Sequence, residues 1–384
     1  MPSVSLLSKM EEFRPKEHPS LYEPGTEKVP FLWYISTFYN ESLCMKLIIP
    51  MAGRGTRVRP HSHTTPKPLL PVAGTMIVER IVETFGRTLD RPIDEIVYIL
   101  GPDFGQAIRD TLTQMSERQN AKATFKVQDV ALGTAHAVLC AEETLEGEVI
   151  IVFADTLFDT ANKVVLDDAD SVIWLKEVED PSRFGVAVHE GETITDFVEK
   201  PSEPISNQAI IGVYYFKEAT QLRTEIEYLM EHNITGHGDE YQLTDALDRM
   251  LKKDLVFKKA TVDEWLDCGT LPAWLDTSSV ILAKEHSGNS DASTYPGTTL
   301  LPPVFIGEGV TIEHSTIGPN VSLEAGATIK GCTLRDSIIQ QHATIEHGSL
   351  TQSSIGQHAH VKHFEGELHI GDHSIIEGNS DLEA

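Results

Sequence analysis

Gly53-Arg54-Gly55-Thr56-Arg57, followed after a short loop by Pro66-Lys67-Pro68-Leu69-Leu70-Pro71, decides how this chain folds. The run Lys46-Leu47-Ile48-Ile49-Pro50 stands just before it and reads as a buried first strand. A Gly-x-Gly turn after a strand lets the backbone approach a bound group and aim N–H donors at it. Thr56 adds a hydroxyl and Arg57 a fixed cation, which suit phosphate oxygens. The turn is neither a Walker loop nor a complete G-x-G-x-x-G, because Val58 takes the last position. Taken singly it could be an ordinary tight turn. Lys67 alters that balance: flanking prolines restrict its loop and reduce the entropy lost in holding a cation still.

Downstream of this stretch, strand-like and helix-like runs alternate. Strands are expected at Lys46–Pro50, Glu95–Leu100, Thr124–Val127 and Val149–Phe153, with helices at Ile77–Phe85, Phe104–Met115 and Thr134–Cys140. That β-α-β-α order predicts a Rossmann-like α/β domain with a mostly parallel sheet. The half beyond is richer in strands: Ser171–Val178, Phe184–Val188, Ile194–Val198, Ala209–Phe216, Leu255–Ala260 and Glu264–Asp267. Helices are expected over Gln221–His232, Gln242–Leu251 and from Leu271 to about Lys284.

From residue 304 onward the pattern changes. Ile306, Ile312, Ile317, Leu323, Ile329, Leu334, Ile339, Ile345, Leu350, Ile355 and Val361 recur every five or six positions. Such spacing is the hexapeptide signature of a short left-handed parallel β-helix, in which each strand buries one aliphatic side chain. Three to four coils are expected, with self-association through the β-helix completing the core. The predicted domains are 1–44 as a dispensable, disordered extension (with a partner-binding arm as the rival reading), 45–285 as the α/β domain, 286–302 as a linker and 303–380 as the β-helix.

The 384 residues carry a net charge of −27. That excess argues against a nucleic-acid partner, whose phosphates would be repelled. It also demands that positive charge be concentrated wherever a polyanion binds. A solvated acidic surface adapted to a salty cytoplasm is one reading of it. No apolar run approaches the roughly 20 residues that cross a bilayer, and no secretory signal is evident, so neither membrane nor export is expected. Cys44, Cys140, Cys268 and Cys332 show no metal-ligand spacing and read as free thiols in a reducing cytoplasm.

Ala52-Gly53-Arg54-Gly55-Thr56-Arg57 and Pro66-Lys67-Pro68-Leu69-Leu70-Pro71-Val72 together resemble the signature of the NDP-sugar pyrophosphorylases, the sugar-1-phosphate nucleotidyltransferases. The resemblance covers roughly residues 45–275. It implies that Ala52, Gly53, Gly55 and Thr56 hold a nucleoside triphosphate, with Arg57 and Lys67 neutralising its charge. Gln128 and Leu132-Gly133-Thr134-Ala135-His136-Ala137 resemble the base-reading segment, with Gln128 on a pyrimidine edge and the Gly133 backbone against the nucleoside. An amide carries both donor and acceptor, which suits the imide edge of uracil or thymine. By the same resemblance Asp155 and Asp267 hold Mg²⁺, to which two carboxylates plus phosphate oxygens and waters offer a suitable shell. Gly185, Glu199, Lys200 and Gly212 match the sugar-phosphate side. His136 is read as a packing or capping residue, Glu240-Tyr241-Gln242-Leu243-Thr244-Asp245 as a helix start, and His61-Ser62-His63 as a solvated loop.

The implied reaction joins an NTP, dTTP or UTP, to a sugar-1-phosphate such as glucose-1-phosphate and releases pyrophosphate. Two other readings stand beside it. Hexapeptide β-helices include acyltransferases that use a histidine base, and His314, His342, His347, His358, His360, His363, His369 and His373 all follow residue 310; the plainer reading puts them in coil corners. The third possibility is a sugar-nucleotide sensor without turnover, against which Lys67, Asp155, Asp267 and Lys200 argue.

Overall fold

The computed structural model describes residues 44–378, except Arg54, Asn162, Pro204 and 289–291. The expected extension over 1–44 therefore lies outside the described residues apart from Cys44, which is exposed.

Strand β1 (Lys46–Pro50) is buried along its whole length, as expected of a strand covered on both faces. It pairs in parallel with β4 (Glu95–Leu100) on one side and β6 (Val149–Val152) on the other. Between β1 and β4 lie the small strands β2 (Pro71–Val72) and β3 (Thr75–Met76) and then helix α1 (Ile77–Thr88). Helix α1 buries Ile77, Val78, Ile81, Val82 and Phe85, one apolar stripe at helical spacing. Helix α2 (Gln106–Arg118) leads to β5 (Lys122–Val127), and the short α3 (Thr134–Leu139) leads toward β6.

Beyond β6 come β7 (Thr156–Asp159), β8 (Ser171–Glu177), β9 (Gly185–Glu190), β10 (Thr193–Glu199) and β11 (Gln208–Phe216). Helices α4 (Ala219–Glu231) and α5 (Leu243–Leu251) follow, then β12 (Phe257–Thr261), β13 (Glu264–Asp267) and α6 (Leu271–Glu285). Nine strands form one sheet in the order β5-β4-β1-β6-β11-β8-β12-β10-β9. It is parallel from β5 to β6 and mixed beyond, because β9 and β10 form a hairpin and β11 runs antiparallel to both β6 and β8. Two apolar layers cover its faces, one against α1, the other against α4 and α5. Strand β7 pairs with β13 away from the main sheet, in a register that sets Asp267 opposite Thr156. Thr270 caps α6 by accepting from the Ala273 N–H at 3.3 Å.

The C-terminal region is the expected left-handed parallel β-helix, with its short strands stacked in three sheets of five. It has five rungs rather than three to four, since each coil takes fewer residues than three full hexapeptides. Its first strand, Thr299–Leu300, pairs with Thr316–Ile317, which shortens the linker expected over 286–302. Inside, the columns Leu300-Ile317-Leu334-Leu350, Ile306-Leu323-Ile339-Ile355-Ile370 and Ile312-Ile329-Ile345-Val361-Ile376 follow the strand registers. Each fully buried aliphatic contributes about 1.5–3 kcal/mol relative to exposure.

His314, His342, His347, His358, His363 and His373 occupy corners with φ between 47° and 58°. The His342, His358 and His373 rings stack at 5.0 Å, and His347 stacks on His363 at 5.4 Å. The plain corner reading thus accounts for six of the eight; His360 and His369 lie in strands. Ile338 of the β-helix belongs to the same buried cluster as Trp274 of α6 and Leu70, so the two parts share a core.

Candidate functional site

The ends of β1 and β6 and the loop after β5 meet over a cavity of about 280 Å³, at the carboxyl edge of the parallel strands where open α/β sheets bind ligands. Ala52, Gly53, Lys67, Gln128, Gly133 and Asp155 all line it, joining six of the expected residues in one cleft. Gly53 faces open space, so a side chain there would enter the cavity. Gly55 has φ 56°, and a Cβ on it would lie 2.9 Å from the Lys67 Cβ, so the turn packs directly on the lysine loop. The Ser62 hydroxyl donates to the Gly55 carbonyl at 2.7 Å and fixes that packing. Thr56 and Arg57 form one 3₁₀ turn and are exposed. A Cβ on Gly269 would lie 3.4 Å from an Arg57 guanidinium nitrogen, which puts Arg57 beside the Asp267 segment.

Lys67 Nζ contacts Asp155 Oδ2 at 2.7 Å. Asp155 follows β6 and Asp267 ends β13; the Cys268 N–H donating to the Asp155 carbonyl at 3.3 Å brings the two segments together. Asp267 Oδ1 accepts from the Gly269 N–H at 2.7 Å, and the Thr277 hydroxyl donates to the Asp267 carbonyl. Burial pushes the Cys268 thiol between them up to about 12, so it stays protonated and inert. Among the described residues no cluster of three or more metal-ligating side chains occurs. Two carboxylates alone fit a hard cation that takes its remaining oxygens from phosphate and water.

Gln128 is buried, and its Nε2 lies 3.0 Å from His136 Nδ1. Burial lowers the His136 pKa, so its neutral ring accepts from the amide. His136 therefore orients Gln128, a role beyond the packing or capping expected of it. No local pattern could have revealed it, since the contact joins a loop to the next helix. Gly133 has φ 118°, and a Cβ there would come within 2.4 Å of the Tyr241 carbonyl, so only glycine fits. The Glu240–Gln242 segment straps that loop: the Tyr241 N–H donates to Leu132, and the Tyr241 carbonyl accepts from Ala135. The Thr134 hydroxyl at the start of α3 accepts from the Leu243 N–H at 2.9 Å, capping α5 from another helix.

Gly185, Glu199 and Lys200 form a second group on the β9–β10 hairpin, outside the lining of that cavity. A Cβ on Gly185 would lie 2.8 Å from Glu199 Oε2, which also accepts from the Thr244 hydroxyl at 2.8 Å. Lys200 takes φ 44°, an uncommon conformation for a lysine, and its Nζ lies 3.6 Å from Glu199 Oε1. Gly212, at φ 85°, lies on β11, whose Ala209 pairs with Val186 of β9; the Gly212 carbonyl accepts from the Phe153 N–H at 3.0 Å, and Phe153 lines the cavity. His61 is not a solvated loop residue as expected. It is fully buried against the β-helix, because Gln340, Ser354 and Trp274 close over it.

A glycine turn, Lys67 and Asp155 thus meet at the carboxyl edge of a Rossmann-like α/β sheet, with the Asp267 segment bonded alongside. More particularly, residues 46–284 match the nucleotidyl transferase family model, and the chain belongs to that family. It is 31% identical over 240 residues to the bifunctional protein GlmU of Methanococcus aeolicus, covering 62% of this chain and 54% of that relative, about half its length. It is 29% identical to the low-salt glycan biosynthesis nucleotidyltransferase Agl11 of Haloferax volcanii, over 77% of this chain and 87% of that one. Among solved structures, one described as a putative glucose-1-phosphate thymidylyltransferase from Bacillus anthracis superposes with a TM-score of 0.52 at 25% identity. That match covers 64% of this chain and 98% of the other. No helix among the described residues is long and apolar enough to cross a membrane.

Proposed function

We propose that this chain is a sugar-1-phosphate nucleotidyltransferase, converting an NTP and a sugar-1-phosphate to an NDP-sugar and pyrophosphate, with glucose-1-phosphate and dTTP or UTP as substrates. The observation that carries it is the Lys67–Asp155 contact at 2.7 Å in a cavity that Gln128 and Gly133 also line. A sugar phosphate is already largely dianionic at neutral pH, with its second pKa near about 6, so no general base is needed. The obstacle is repulsion between that nucleophile and the triphosphate, and positioning with charge neutralisation answers it.

In this reading the Ala52–Thr56 backbone and Arg57 hold the triphosphate, and Lys67 neutralises the α-phosphate that the sugar phosphate attacks in line. Gln128, oriented by His136, reads the pyrimidine imide, with Gly133 against the nucleoside. Glu199 accepts from sugar hydroxyls, Lys200 pairs with the sugar phosphate, and Gly185 and Gly212 allow the sugar to approach the backbone. Mg²⁺ held by Asp155 and Asp267 would supply further charge neutralisation at the reacting phosphates. Self-association through the β-helix belongs to the same proposal, supported by Ile375 of its last strand, 75% exposed. A cytoplasmic setting is supported by four cysteines that are all free.

A panel of NTPs against glucose-, mannose- and N-acetylglucosamine-1-phosphate, reading pyrophosphate, tests the proposal. Release with glucose-1-phosphate and dTTP or UTP is expected. Release with no pair in the panel would refute it.

A further inference from the structure

Lys67 sits between two segments that are both fastened to the β-helix. On its N-terminal side is the turn His61–His63. His61 is fully buried and bonded through both ring nitrogens. Its Nδ1 lies 2.8 Å from Gln340 Nε2, and its Nε2 lies 2.7 Å from Ser354 Oγ. An amide nitrogen can only donate, so Nδ1 accepts, and Nε2 carries the proton and donates to Ser354. Ser354 Oγ is in turn 2.8 Å from His369 Nδ1, so its hydroxyl hydrogen continues the line. The result is a buried chain of donors, Gln340 to His61 to Ser354 to His369, running between the α/β domain and successive coils. Thr64 donates to Asp372 and Gln357 donates to Thr65, extending the contact along the same loop.

On its C-terminal side is the turn between β2 and β3. The Gly74 N–H donates to Glu324 Oε1 at 3.2 Å. A Cβ on Gly74 would fall 2.2 Å from the Phe305 ring, so the hairpin turn lies directly on the first coil. Trp274, edge-on to His61 at 5.2 Å, donates to the Pro71 carbonyl at 2.8 Å and closes the gap between the two fastenings. The fastened loop also bears on the glycine turn, through Ser62 and the Gly55 carbonyl.

We infer that the β-helix positions the nucleotide half of the site, with His61 as the positioning residue through which it holds Lys67 and the glycine turn. The hydrogen-bonded chain sets where the loop before Lys67 runs, and Glu324 sets where the chain after it turns back. Among the described residues the β9–β10 hairpin with Glu199 and Lys200 makes no hydrogen bond to the β-helix, so loosening the contact should act on one substrate and spare the other. This inference rests on the reading of Lys67 and the Gly53–Arg57 turn as the triphosphate site.

The test uses the full chain in three variants: His61→Phe, which fills the space but offers no ring nitrogen; the pair Gln340→Ala and Ser354→Ala, which removes the partners on the coil side; and His61→Gln, which keeps a donor and an acceptor. Steady-state kinetics with UTP and glucose-1-phosphate, and equilibrium binding of UTP without turnover, are the readouts. His61→Phe and the Gln340/Ser354 pair should each raise the KM and Kd for UTP about 5- to 20-fold and leave the KM for glucose-1-phosphate within about twofold. His61→Gln should recover most of the UTP affinity. Unchanged UTP constants in folded Gln340/Ser354 protein, or equal losses toward both substrates, would overturn the inference. Lys67→Ala separates the two levels: if it leaves UTP binding and turnover intact, the reading of the site itself is wrong.

Discussion

Acid should loosen the junction at His61 before it unfolds the rest of the chain. Burial pushes the His61 imidazole from 6.5 down to about 4, with Asp372 partly opposing and His369 adding to the shift. A folded-state value below the unfolded one means that the unfolded chain binds the proton more readily. The stability contributed by neutral His61 is therefore fully present above about pH 6.5 and is lost progressively as pH falls toward 4. The drop from 6.5 to about 4, at about 1.4 kcal/mol per pH unit, makes the full loss roughly 3 kcal/mol, most of it reached by about pH 4.5. Against a typical total of about 5–15 kcal/mol this is measurable. Urea unfolding followed by tryptophan fluorescence at several pH values between 7.5 and 4.5 reads it, comparing the native chain with His61→Gln. The variant should start less stable and lose less on acidification, because glutamine does not titrate. The carboxylates shared by both proteins cancel in the difference. Parallel curves between pH 6.5 and 4.5 would refute the reasoning.

Three further outcomes follow from the same geometry. Thr244→Val, which removes the hydroxyl donor to Glu199, should raise the KM for the sugar phosphate about 3- to 30-fold with little change for the NTP, as expected for a lost hydrogen bond to a charged group; steady-state kinetics with each substrate varied in turn checks this. His136→Phe frees the Gln128 amide to rotate and should lower the preference for UTP over CTP about tenfold, read as a ratio of kcat/KM values. With net charge −27, self-repulsion in dilute buffer should make the chain more stable and more active in molar KCl than without salt; best performance in dilute buffer would count against a surface adapted to salt.

Local pattern revealed whatever local forces determine. Strand β1 and its glycine turn were legible because Leu47, Ile48 and Ile49 form an apolar run that cannot face water, and the coil columns because Ile306 to Val361 keep their spacing. Gln128, Lys67 and Asp155 converge because each follows a strand of one parallel sheet, so topology brings together what sequence separates. The number of coils was undercounted, since successive coils take fewer residues than three full hexapeptides. Strand β7 was not foreseen, because Thr156–Asp159 acquires strand geometry only by pairing with β13. His61 misled most: histidine beside serine reads as a wet loop, and its burial depends on Gln340 and Ser354, hundreds of residues away in the chain. His136 and Thr244 share that limitation, each acting through a partner on another element.

In the proposed reaction, Lys67 and the Asp155–Asp267 pair serve transfer of a nucleotidyl group. Its most direct test is the rate of pyrophosphate release by Asp155→Asn against the native chain, using whichever NTP and sugar-1-phosphate the panel identifies. The side chain keeps its size and loses its charge, so the fold should stand, and the rate should fall about 10²- to 10³-fold. Pyrophosphate release at the native rate from folded Asp155→Asn protein would contradict the account.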